Sequence, residues 1–87
     1  MSGENNNIIQ LSDKEVQELE KTLKELKQYM KKLKKLPITL KTLVLYYKCN
    51  GIVQMYKQAI KTKRWDKSNE EFIAKTMQEL KNLLFNL

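Results

Sequence analysis

The chain of 87 residues has no histidine, which removes the commonest general base and the commonest metal ligand. Cys49 is its single cysteine, so no intrachain disulfide can form and no thiolate cluster can hold a metal. A lone cysteine suits a reducing compartment, cytosol or nucleus. No apolar run approaches the roughly 20 residues of a membrane span, and the opening Met-Ser-Gly-Glu-Asn-Asn-Asn lacks signal-peptide character, so the expectation is a soluble intracellular chain or a module cut from a longer one. No Gly-rich phosphate loop is present, and no serine or cysteine has a base in a recognisable arrangement. These absences argue against an enzyme and leave no expected catalytic residue, cofactor or metal. Without a histidine to activate it, Cys49 reads as a small buried hydrophobe near a helix end.

Acidic residues are scarce in one region. Residues 27–67 hold twelve Lys and Arg against one acid, Asp66, whereas the rest of the chain holds five basic and nine acidic residues, giving a net charge of +7. A field distributed this way attracts acidic partners, protein or nucleic acid, and sets association rate and salt dependence.

What the chain does have is helix-forming composition, rich in Leu, Lys, Glu and Ile with two glycines and one proline. Residues 1–10 are expected to form a flexible head, the first seven of them disordered, with Ile8, Ile9 and Leu11 lying across the bundle, forming a helical turn or stapling the first helix. A bundle domain over 11–87 follows. Ser12 and Glu15 form a capping box, and Val16, Leu19, Leu23, Leu26, Met30 and Leu33 then recur at spacings of three and four. Pro37 disfavours helix at Leu36, the expected stopping point, and Thr39 caps the next helix. That second helix is expected over 40–48 with Leu40, Leu43, Val44 and Tyr47 inward, leaving through Cys49-Asn50-Gly51. A third helix, 52–61, is apolar around much of its circumference, with Ile52, Val53, Met55, Tyr56, Ala59 and Ile60. After an exposed basic connection, a second capping box, Ser68 to Glu71, opens a last helix with Phe72, Ile73, Thr76, Met77, Leu80, Leu83, Leu84 and Leu87 inward. The prediction is an all-α, compact, right-handed or antiparallel bundle of four to five helices, without strands.

Two basic segments are candidate binding sites. Lys31, Lys32, Lys34 and Lys35 suit weak phosphate contact with nucleic acid, or form a solvated helix face complementing the helix dipole. Residues 61–67 carry four cations and the single tryptophan. Trp65, flanked by Lys63, Arg64 and Lys67, either forms the rim of a pocket for an acidic peptide with an aromatic anchor or folds back over the core. A third possibility is oligomerisation through the 16–33 stripe, although fewer than three heptads precede Pro37.

The corner Leu33-Lys34-Lys35-Leu36-Pro37-Ile38-Thr39-Leu40-Lys41-Thr42-Leu43, with Leu23 and Leu26 leading in, resembles the helix-to-helix corner of the N-terminal domain of transcription elongation factor TFIIS. It is also similar to the related integrase-binding domain of lens epithelium-derived growth factor, and the resemblance covers roughly residues 19–87. It implies a nuclear, monomeric protein-interaction module that binds disordered motifs of transcription or chromatin proteins. In the integrase-binding branch a basic pair and an aromatic before the last helix help form a pocket for a partner's phenylalanine. Lys63, Arg64 and Trp65 stand at that place here. An aspartate in the first interhelical loop of that family holds a partner's backbone amide, and Asp13 is its nearest counterpart. Leu11, Lys67 and Phe72 complete the expected peptide-binding set.

Overall fold

The computed structural model describes residues 7–85. Within them the chain is mostly helical and contains three α-helices: α1 (Asp13–Lys34), α2 (Leu40–Thr62) and α3 (Glu70–Phe85). The expected count of four to five is too high, because the second and third expected helices are one. Asn50 and Gly51 lie inside α2 in ordinary helical geometry, and Gly51 has no positive φ. The exit signal there is overruled by the stripe Leu45, Cys49, Ile52, Tyr56 and Ala59, which keeps its period straight through it. Burying such side chains contributes about 1.5–3 kcal/mol for each large one, against about 1 kcal/mol for a glycine inside a helix.

The stripe fixes the rotation of α2, and the inward face expected for its first turns is therefore wrong. Leu45 and Cys49 face the core, while Leu40, Leu43, Val44 and Tyr47 are exposed. A two-residue offset on a helix is about 200°, which puts one set opposite the other.

Local chemistry sets the head of α1 and both sides of the α1–α2 corner. Ser12 and Glu15 form a reciprocal capping box on α1, with bonds of 3.2 and 2.8 Å. α1 stops at Lys34, with Lys35 as its C-cap, two residues short of Leu36. The Thr39 hydroxyl accepts the Thr42 amide at 3.1 Å, and Thr42 Oγ1 accepts the Thr39 amide at 2.8 Å, a second box at the head of α2. The chain then doubles back, so α2 packs against both α1 and α3, which also touch each other. Leu26, Ile52 and Leu80, one from each helix, are fully buried between them.

Two short strands close the other end: β1 (Ile8–Gln10) pairs antiparallel with β2 (Arg64–Asp66), Ile9 opposite Trp65. The strandless expectation is corrected here. The Leu11 amide donates to the Lys63 carbonyl and the Lys67 amide to the Asn7 carbonyl, both at 2.8 Å, extending the ladder past each end of the pair. Asn7, expected among the disordered residues, is thus tied down; residues 1–6 of that expectation lie outside the described residues. The second expected capping box does not form. The Ser68 hydroxyl instead donates to Asp66 Oδ1 at 2.6 Å, within a 3-10 turn, Lys67–Asn69, that leads into α3. In α3, Ile73, Thr76 and Leu80 are buried, and Met77, Leu83 and Leu84 are half-buried. Phe72 is not inward but exposed, and Leu87 lies outside the described residues.

A candidate peptide-binding tip

The helix termini and the strand pair bring together residues that are remote in sequence. α2 ends at Lys63, whose left-handed backbone (φ 58°, ψ 34°) reverses the chain and starts β2. A lysine carries a penalty in this conformation that glycine would not. Its amide still reaches the Ala59 carbonyl at 2.7 Å, closing the last turn of α2.

Alternation along β2 then sorts the side chains. Arg64 points to solvent, Trp65 inward and Asp66 partly outward. The indole is 9% exposed. It stacks on Tyr56 with ring centroids 5.6 Å apart and planes 13° from parallel, and its Nε1 donates to Glu70 Oε2 at 2.9 Å. The position expected in an exposed connection is therefore held from both sides. Burial pushes the Tyr56 hydroxyl above its ordinary pKa, so the stack is neutral across the physiological range. Asp66 shifts the other way: two bonds from Ser68, one from its hydroxyl and one from its amide, hold its carboxyl below the usual carboxylate range.

Beside the stack lies an open cleft of about 490 Å³, lined by Ile8, Gln58, Thr62, Arg64, Trp65 and Asp66. Trp65 is thus both a core cap and a cleft wall. Of the expected peptide-binding residues, Arg64 and Trp65 line this cleft. Lys63 reaches Asp13 at 3.4 Å across fifty positions of sequence, and Leu11 is buried beneath them with its amide on the Lys63 carbonyl. Asp13, Lys63, Arg64 and Lys67 are exposed on this end of the molecule, and neither Lys67 nor Phe72 belongs to the cleft lining. Ile8, Gln58 and Thr62 escaped sequence reasoning. The spacing of Gln58 and Thr62, one turn apart ahead of a basic-aromatic segment, was the available signal.

The second candidate set lies at the far end of α1. Lys31, Lys32, Lys34 and Lys35 are all exposed, but two are engaged with rings: Lys32 over Phe85 and Lys34 over Tyr46, each 5.4 Å from the centroid. Such contacts hold a cation in place at about 0.5–1 kcal/mol when exposed. Cys49 is buried in the middle of α2, and desolvation raises its thiol to about 11. It stays protonated at neutral pH, which suits packing and not nucleophilic attack. Among the described residues there is no group of three His, Cys, Asp or Glu placed to hold a metal, and no helix long and apolar enough to cross a membrane.

No protein-family model, no curated protein and no solved structure matches the chain.

Proposed function

We propose that the chain is a protein-interaction module of the nucleus, a helical bundle of the kind found in the TFIIS N-terminal and integrase-binding domains, which binds short disordered acidic-aromatic motifs of transcription elongation or chromatin factors. The observation that supports this reading is the cleft beside Trp65, with Arg64 on its wall and Lys63 and Lys67 nearby, in a chain whose basic-aromatic segment resembles the motif-binding segment of the integrase-binding domain. In this mechanism a ligand aromatic side chain enters the cleft and covers the indole edge. The exposed cations attract the acids that flank it, and Asp13 accepts a ligand amide. The stack on Tyr56 and the bond to Glu70 hold the receiving wall rigid, so little ordering cost falls on the protein. The ligand does pay to become ordered, and micromolar affinity follows.

A chemical-shift titration with an acidic peptide containing a Phe-x-Gly-Phe segment tests this. The expected result is perturbation at residues 61–69, a change in the emission of Trp65, and marked weakening by Arg64→Glu with the fold retained. Perturbation confined to residues 31–35, with a steep salt dependence and binding to oligonucleotides, would replace this reading with the nucleic-acid one.

A further inference from the structure

The surface at the α1–α2 corner has a composition unusual for an exposed face. Ile38 is 80% exposed, Leu40 79% and Tyr47 73%, and Leu43 and Val44 adjoin them on the same side of α2. Scattered exposed apolar residues need no explanation, but five at one corner form a patch of the sort that marks interaction sites. The cause lies in the fold. Those on α2 lie on the side of the helix opposite Leu45 and Cys49, which turn toward α1 and α3, so neither helix covers them.

Next to this patch is a recess of about 200 Å³ formed by Leu33, Leu36, Ile38, Leu43 and Tyr46 together with the stem of Lys34. The corner that frames it is stiff, fixed by Pro37 and the Thr39–Thr42 capping box, and Lys34 lies over the Tyr46 ring. Lysines border the apolar surface: Lys34 lines the recess, followed in sequence by exposed Lys35, and Lys41 and Lys48 line a neighbouring hollow with Leu40 and Val44. The acid at this border is Glu79, 3.4 Å from Lys48.

We propose that the corner is a second docking surface, distinct from the tip, and that its occupant is an amphipathic helix of a partner protein with acidic residues flanking its apolar stripe. Charge complementarity selects this occupant. A second copy of the chain would set one lysine border against another, which repels. The recess selects a side chain over a lipid surface, since a concavity takes up a knob whereas insertion in a bilayer needs a protrusion. Apolar residues at i, i+3 and i+7 of the partner would fill the recess and lie on Leu40 and Tyr47 while its acids face Lys34, Lys35 and Lys41.

The test uses the full chain and a designed peptide of about 18 residues with leucines at helical spacing and glutamates elsewhere. Shifts at Ile38, Leu43, Tyr46 and Tyr47 are expected, with at least about a tenfold loss of affinity in the Leu40→Ser/Tyr47→Ser double variant. Both positions are exposed, so circular dichroism of that variant should match the parent. The same peptide with lysine for every glutamate should not bind. Failure of the acidic peptide to bind, equal binding of the basic one, or shifts at residues 61–69 instead of the corner would overturn the proposal. Sedimentation showing a dimer lost in the double variant would assign the face to a second copy. Co-flotation with phosphatidylserine vesicles, lost in the same variant, would assign it to a membrane.

Discussion

The two ends of the molecule are built in opposite ways. At the tip, segments far apart in the sequence are joined by a strand pair, and the large aromatic is turned inward onto Tyr56 while the cations stay out. At the corner, everything that shapes the chain lies within a few residues of Pro37, and the apolar side chains are left outside. The tip therefore draws its rigidity from the core, and the corner from its own hydrogen bonds. A hydrophobic substitution should be expensive at one end and nearly free at the other.

Trp65→Ala should produce the largest effect. It removes a buried indole and the stacked partner of Tyr56, and the expected loss is about 3–5 kcal/mol, a large fraction of what a domain of this size has. Urea denaturation followed by circular dichroism measures it, since the variant has no tryptophan to report. Leu40→Ala at the corner provides the comparison: at 79% exposure it should change stability by less than about 0.5 kcal/mol. Equal costs at the two positions would break the contrast, because they would mean that the corner face is covered or the indole is not.

Thr39→Ala should cost about 1 kcal/mol, through the lost capping bond to the Thr42 amide. Its effect should be local. Amide exchange should quicken at the first turn of α2 and stay unchanged at residues 64–66, because the two ends share no hydrogen bonds. Faster exchange at both ends would show that the corner holds the tip in place.

Locality also decides what could be foreseen. The Ser12 and Thr39 caps were legible because a cap needs just a short polar side chain and an amide three residues on. The basic cluster around Trp65 was legible as composition, and so was the stripe of α1. The strand pair was not: three residues are too few to show a period of two, and the partner strand lies beyond two long helices in the sequence. The face of α2 was misassigned because its first turns carry two apolar stripes on opposite sides. Only the longer one, continued by Ile52, Tyr56 and Ala59, has helices to pack against.

The strut between the two ends gives the smallest effect. Asn50-Gly51 has the chemistry of a helix exit yet lies in mid-helix, so α2 carries a weak point that its packing overrides. A methyl group built at Gly51 meets no atom within 4 Å apart from its chain neighbours and its own helix backbone, and the backbone there is already helical. Gly51→Ala should therefore raise stability by up to about 1 kcal/mol, through helix propensity and a less flexible unfolded chain. The gain should appear as a higher urea midpoint with an unchanged slope. Destabilisation instead would mean that α2 does break at this position, and that the corner and the tip sit on two helices whose relative angle is free to vary.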